Sequence, residues 1–363
     1  MAGRVLVAMS GGVDSSVAAA RLTRAGHDVI GVTLHLWDYP DDGSVRARCC
    51  APEDLHDARR VADKLGIPHY AFDRRELFAE SIVEPFVEDY LAGRTPSPCV
   101  SCNRGVKLAE LFALAERLGA ERVATGHYAR LHEREGRVEL LRARDASKDQ
   151  SYFLHWVGQA ELRKLCFPLG DSEKGAVRDE ARALELPGAN KGESQELCFI
   201  PTGRYDAFIE ERAGERLRPG PIVDASGRVV GEHRGVHAFT LGQRKNLGVA
   251  LGERAYVVGI EPASATVRLG PRSALEAAAA ELTELSLAEG VTLPLRADVQ
   301  IRYRARPVPA EVRALGAGAL VQFETKVVSV VPGQYAVFYD GDRVLGGGRI
   351  TRSLPMAPTE LPA

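Results

Sequence analysis

The sequence predicts an α/β protein: a doubly wound parallel sheet, then a small β-rich linking domain and a C-terminal β-barrel. Two observations carry this. In the first two hundred or so residues, apolar β-branched runs alternate with alanine- and leucine-rich stretches that stop at glycine; from about residue 203, glycine and proline punctuate short β-rich stretches. At 363 residues the chain has room for two or three domains.

The elements follow in order. "RVLVAMS" (4–10) is a short apolar run ending at glycine, "SSVAAARLTRAG" (15–26) a helix with a glycine stop, and "HDVIGVTLHL" (27–36) a second strand, which together make a βαβ unit. "DLHDARRVADKLGIPHYAFD" (54–73) and "LAELFALAERLGAERVATGHYARL" (108–131) repeat helix, glycine and strand. Parallel strands covered on both faces place a ligand site at their carboxyl ends. "GPIVDASGRVVGEHRG" (220–235), "AYVVGIEPASATVRLG" (255–270) and the run 319–350, with a hairpin turn at "YDGDR", read as all-β. The expected division is 1–202 for the catalytic domain, 203–280 for the small central domain and 281–363 for the barrel, with the last boundary in the alanine and glutamate stretch 274–290.

Composition narrows the chemistry. The chain is 45% apolar and 26% charged, with no run long enough for a membrane span and no visible targeting segment, so the expected compartment is the cytoplasm, with no membrane partner. Six scattered cysteines fit free thiols better than a disulfide framework. A net charge of −2 leaves nucleic-acid binding to local basic patches.

"MSGGVDSS" (9–16) follows a strand and opens a helix, where backbone N–H groups and the helix dipole form an anion site. Gly11 and Gly12 allow close approach of phosphate oxygens, and Ser10, Ser15 and Ser16 can add hydroxyl donors. A Walker A lysine is absent. The stretch resembles the pyrophosphate-binding loop of N-type ATP pyrophosphatases, which cleave ATP between the α and β phosphates and adenylate an oxygen of the substrate; the resemblance gives Asp14 the role of organising Mg²⁺ and pyrophosphate. Displacing an adenylated oxygen calls for a strong nucleophile, and sulfur qualifies. Cys99 and Cys102 in "PSPCVSCN" and Cys198 in "KGESQELCFIP" are the candidates. Cys49 and Cys50 fall in a predicted loop, and Cys166 reads as a core residue.

Nine stretches in order, "MSGGVDSS", "RCCAPEDLHDARRVADKLGIPHY", "GRTPSPCVSCNRGVKL", "ATGHYARL", "SKDQSYFL", "FPLGDSEKGAVRDEARALEL", "KGESQELCFIP", "FTLGQRKNLGV" and "IRYRARP", resemble the tRNA-specific 2-thiouridylase family from residue 4 to about 350. The resemblance implies ATP and Mg²⁺ at Ala8, Met9, Ser10, Gly11, Gly12, Val13, Asp14 and Ser15, with Leu34 and Gly126 on the adenine and ribose side. It implies attack of the uracil C2 oxygen on the α phosphorus, then attack by a persulfide on Cys198 with Cys102 as partner thiol. The persulfide would come from a sulfur carrier or cysteine desulfurase. Ser97, Pro98 and Cys99 would meet the flipped base, Lys148, Asp149 and Gln150 the tRNA near the site, and Arg302 and Tyr303 the anticodon arm.

Some alternatives stay open at this level. Some family members carry aspartate, a potential acid or base, at the position of Cys99; with cysteine here, proton transfer by this residue stays open. Cys99, Cys102 and Cys198 could instead hold a [4Fe-4S] cluster with one open iron. His127 faces the nucleotide or packs under a turn. "IRYRAR" taken alone reads as a solvated strand, and "GQRKN" as a basic turn. A synthetase acting on a small molecule, or a binding module without catalysis, are the competing functions; the first leaves the β-rich half unexplained, and the second requires a damaged phosphate loop.

Overall fold

The structure is a computed structural model and describes residues 3–38, 52–191, 197–200, 203–249, 252 and 254–355. The chain forms two compact units, one comprising Met1–Ile82, Cys99–Arg204 and Asp342–Val344, the other Val83–Pro98, Tyr205–Gly341 and Leu345–Ala363.

In the first unit, strands β1 (Arg4–Ala8), β2 (Asp28–His35), β3 (His69–Asp73), β4 (Arg122–Ala124) and, after a β5–β6 hairpin (Arg130–Arg134, Arg137–Leu141), β7 (Leu165–Cys166) build a five-stranded parallel sheet in the order β3-β2-β1-β4-β7. β1 is central: Val5 pairs with Val29 on one side and Arg122 on the other, and Val5, Leu6 and Val7 are buried on both faces. The strand order reverses beside β1, which makes its carboxyl end the topological switch point where doubly wound sheets bind ligands. The predicted strand at "RVATGHYARL" is shorter than expected. It ends at Ala124, and Arg130 begins the hairpin, turned by Glu135 and Gly136, both at positive φ as a tight two-residue turn requires.

Helix α1 (Val13–Arg24) packs its alanine-rich side into the core, with Ala18, Ala19 and Ala20 fully buried; methyl-sized side chains let a helix lie close on a sheet. It also pairs with the helix Lys174–Ala183 at two points along its length. Arg21 forks onto Glu180 at 2.7 Å and gives hydrogen bonds to the Pro168 carbonyl at 2.8 Å and Ser172 Oγ at 2.7 Å. Seven residues earlier, Asp14 takes Lys174 Nζ. Helix α2 (Pro52–Leu65) adds Ala58, Val61 and Ala62 to the same core.

In the second unit, β8 (Gly220–Val223), β9 (Val229–His233), β10 (Tyr256–Glu261) and β11 (Thr266–Gly270) form a small sheet around Ile222, Val257 and Val267. The barrel consists of β12 (Glu276–Leu287), β13 (Leu295–Gln300), β14 (Val308–Leu315), β15 (Gly318–Val328), β16 (Tyr335–Asp340) and β17 (Arg343–Leu354), ordered β12-β15-β14-β13-β16-β17 and closed by antiparallel pairing of β17 with β12. The predicted hairpin turn lies at Gly341 and Asp342. The alanine and glutamate stretch in which a boundary was expected is the strand β12. Its small residues, Ala277, Ala279 and Ala280, are fully buried under neighbouring strands, so burial overrides a composition that favours helix or linker. "IRYRAR" is a turn rather than a strand, with Arg304 at φ +63°. The segment before the first cysteine pair is stitched within this unit: Thr95 N–H donates to the Pro332 carbonyl (2.9 Å), and Gln334 Nε2 donates to the carbonyls of Thr95 (2.9 Å) and Pro96 (3.1 Å). Among the described residues no helix is long and apolar enough to cross a membrane.

Arg21→Ala strands the half-buried Glu180 carboxylate and the Pro168 carbonyl, and should cost about 2 kcal/mol in urea unfolding. An unchanged midpoint would show that the Arg21 fork is ornamental.

Candidate active site

The loop from Ser10 to Ser15 sits at the switch point and is shaped by its own polar atoms. Ser15 Oγ accepts from Ser10 N–H at 3.1 Å and donates to the Gly12 carbonyl at 3.0 Å. Ser16 Oγ donates to the same carbonyl at 2.9 Å, and Ser16 is wholly buried. Ser16, expected as a phosphate donor, therefore closes the turn instead. Gly12 caps α1 in an extended conformation with no side-chain cap, so the first-turn N–H groups are presented to an anion by backbone geometry. Gly11 has φ +72°, and a Cβ there would stand 2.1 Å from the Asp54 carbonyl oxygen. A Cβ on Gly126 would come within 2.9 Å of the Ser15 nitrogen. Both positions thus need glycine for close backbone approach.

The side chains of Met9 and Val13 belong to the core; Met9 N–H donates to the Val32 carbonyl (2.8 Å), and its own carbonyl accepts from Thr33 Oγ1 (2.6 Å). Ala8 ends β1, and Leu34 lies buried near the end of β2. Asp14 is the loop's carboxylate: its Oδ1 accepts from Tyr128 Oη at 2.8 Å, and Lys174 Nζ bridges both oxygens at 2.7 and 2.6 Å. On the other side of Gly11, Lys191 Nζ reaches Asp54 Oδ1 at 2.7 Å and Asp57 Oδ2 at 2.6 Å. Burial works against the Lys191 charge, but the two carboxylates outweigh it and raise its pKa. Tyr128, Lys174, Lys191, Asp54 and Asp57 were not singled out from the sequence, since each is a lone residue far along the chain from the loop it serves.

The thiols differ in setting. Cys102 is buried at the end of the helix Pro98–Cys102, just before a π-helical turn, Asn103–Lys107, of a kind that often marks functional sites. Burial pushes its thiol up, while the charge and backbone N–H of Lys107 pull the other way. Cys99, three residues earlier, is exposed. Cys198 is half-buried and is followed by Phe199, which packs edge-on against Trp37 (6.1 Å) and Phe78 (5.7 Å). Cys166 packs against the core. No disulfide joins Cys102 to Cys198 in this structure. Among the described residues no three Cys, His, Asp or Glu side chains stand together as a metal site, so the cluster alternative for Cys99, Cys102 and Cys198 finds no support. Cys49, Cys50 and residues 192–196 lie outside the described residues.

Of the two settings open for His127, the structure has it packed: Nδ1 pairs with Thr125 Oγ1 at 2.8 Å, and the ring meets Phe167 edge-on. Asp149 is buried. It accepts from Arg142 Nη1 (3.0 Å), Ala143 N–H (3.0 Å), Ser151 N–H (3.1 Å) and Ser151 Oγ (2.9 Å), which makes it a knot holding its loop. Gln150 Oε1 accepts from Tyr128 N–H at 2.9 Å, tying the same loop to the Asp14 partner, and Lys148 is half-buried beside them. Ser97, Pro98, Arg302 and Tyr303 belong to the second unit, where Arg302 is exposed and Arg304 stacks on the Tyr303 ring at 5.3 Å.

A parallel sheet with this serine and glycine loop at its switch point, joined to a small β domain and a closed barrel, defines a PP-loop protein with two appended β domains. Residues 3–202 match the family model described as the tRNA methyl transferase HUP domain, 206–271 the tRNA methyl transferase PRC-barrel domain, and 278–350 the aminomethyltransferase beta-barrel domain. The chain is 63% identical to the tRNA-specific 2-thiouridylase MnmA of Sorangium cellulosum over 97% of its length and 93% of the relative's. It is 49% identical to that of Chloroflexus aggregans (96% and 98% covered) and 46% identical to that of Geotalea uraniireducens (97% and 96% covered). The chain belongs to the tRNA-specific 2-thiouridylase family.

Asp149→Ala should cost about 3 kcal/mol, because it removes the shared acceptor of the Arg142, Ala143 and Ser151 donors; an unchanged urea midpoint would show that the knot carries no stability. Burial lowers the pKa of His127 to about 3 and that of His155 to about 4, against about 6.5 in the unfolded chain. Between those values the unfolded state binds protons that the native state refuses, so stability is full above about pH 6.5 and falls as pH drops. Urea midpoints measured from pH 7 to 4.5 should show that decline, and His127→Gln with His155→Gln should flatten it.

Proposed function

We propose that the protein catalyses ATP-dependent 2-thiolation of the wobble uridine of tRNA, in the cytoplasm. The observation that carries this reading is the backbone-built anion loop at the switch point, with Asp14 fixed by Lys174 and Tyr128, in a chain of this family. The first-turn N–H groups of α1 bind the phosphates of ATP, and the glycine at 126 leaves the approach to Ser15 open. Mg²⁺, for which Asp14 is the available carboxylate, would neutralise charge on the leaving pyrophosphate. The uracil C2 oxygen attacks the α phosphorus, the bond to the β phosphate breaks, and pyrophosphate departs.

Cys198, loaded as a persulfide by a sulfur carrier or cysteine desulfurase, supplies the second step. Its outer sulfur attacks C2, the C2–O bond breaks, and AMP leaves. The Cys102 thiolate then attacks the Cys198 sulfur. The sulfur–sulfur bond to the base breaks, 2-thiouridine is released, and a Cys102–Cys198 disulfide remains for a thiol reductant to reopen. Lys107, whose charge draws the Cys102 thiol toward ionisation, is suited to assist this step. Cys99, Ser97 and Pro98 contact the base, Lys148, Asp149 and Gln150 the nearby tRNA, Asp149 by holding the loop, and Arg302 and Tyr303 the anticodon arm.

Cys198→Ala should abolish thiolation while ATP binding persists; retained thiolation would remove the persulfide role. Asp14→Ala should slow tRNA-dependent pyrophosphate release by about 100-fold, and an undiminished rate would refute the assignment of the loop. Because burial raises the Cys102 pKa, product release from persulfide-loaded enzyme should accelerate as pH rises above neutral.

A further inference from the structure

Beside Cys102, on the same unit, lies a cavity of about 270 Å³ lined by Asn103, Arg104, Leu108, Phe112, Phe153 and Trp156, among others. It is below the size of a site for a drug-sized ligand and accommodates one ring system. The Arg104 guanidinium lies 3.7 Å from the centre of the Trp156 ring. Trp156 is backed by His155, tilted against it at 5.3 Å, and His155 Nδ1 is anchored to the Tyr152 carbonyl at 2.8 Å. The stacking surface is therefore preorganised. Asn103 lines the same cavity at 4% exposure, and its side-chain oxygen has no hydrogen-bond partner among the described residues. A buried acceptor left unmet is costly unless a ligand supplies the donor.

A planar cation stacked on an aromatic ring, apolar walls and an open amide acceptor form a combination that takes an unstacked nucleobase. A free phosphate is disfavoured by the carboxylate of Glu161 at the lip. The chain order Cys102–Asn103–Arg104 puts this cavity next to the sulfur chemistry, and no part of the proposed reaction uses it. We propose that the Asn103–Arg104–Trp156 cavity captures a second tRNA base, one other than the wobble uridine, with the base stacked on the Arg104–Trp156 pair and donating an N–H to Asn103 Oδ1. This rests on the tRNA reading above.

The test measures binding of the full-length protein to anticodon stem-loop RNAs carrying an abasic residue at each loop position in turn. Wild type should bind one RNA with an abasic residue outside the wobble position at least about fivefold more weakly than the intact loop. Trp156→Leu and Arg104→Ala should bind the intact loop weaker by a similar factor and lose sensitivity to that abasic position, with ATP affinity unchanged. Asn103→Asp, which keeps an acceptor, should retain binding where Asn103→Leu loses it. If both stacking variants keep the full abasic penalty at every position, the pocket is overturned. It is equally overturned if they bind RNA normally but accept sulfur more slowly from a protein persulfide donor, since the cavity would then dock that partner. Failure of the wild type to bind any anticodon loop would instead remove the tRNA reading itself, and the pocket with it.

Discussion

The ion pair between Asp14 and Lys174 is the constraint on which the rest of the first unit depends. Asp14 stands in the first turn of α1, directly after the glycine loop, and Lys174 opens a helix 160 residues further along. With the Arg21–Glu180 fork about two turns further along the same face, two opposite-charge pairs fix both the distance and the direction of the two helices. The buried alanines of α1 make the close approach feasible, and the charges choose its register. A loop made almost wholly of glycine and serine cannot hold a shape by packing. Its own serine hydrogen bonds set its shape, and this clamp, Tyr128 and the backbone of Asp54 pressed against Gly11 hold that shape in place.

The clamp is one of several ties on the segments around the loop. Gln150 binds the backbone of Tyr128, Asp149 knots the loop that carries Gln150, and Trp156 follows on the next turn. From the other side, Lys191 ties its segment to the start of α2, and Phe199 seats the residue after Cys198 in an aromatic trio. Each tie is local and ordinary.

Much of this was legible in the chain itself. Parallel strands announce themselves because they are buried on both faces, as "RVLVA" is, and the glycine loop because few sequences need such residues between a strand and a helix. The partners of the loop were not legible. Lys174 and Lys191 sit in acidic surroundings like any surface lysine, and only the fold reveals that they converge. The stretch where a boundary is expected also holds a strand, 276–287, which composition does not announce: four alanines favour a helix in isolation, whereas between β15 and β17 their small size is what permits burial. Asp149, which the family resemblance sets against tRNA, is buried, and its neighbours in the chain are what satisfy its carboxylate.

The helix Glu84–Leu91 belongs to the second unit although the chain reaches it before the first is complete. Phe86 meets Phe208, and Tyr90 stacks on Tyr205 at 4.9 Å. On the ribosome those partners emerge roughly a hundred residues later, a delay on the order of ten seconds at ordinary rates of synthesis. For that interval the aromatic face of this helix has no Phe208 or Tyr205 to cover it, in the middle of a domain whose own sheet still lacks β4. Vectorial folding cannot finish one domain before beginning the next here. How long that face stays uncovered during synthesis is thus written into the order of the segments, independent of how stable the finished molecule is.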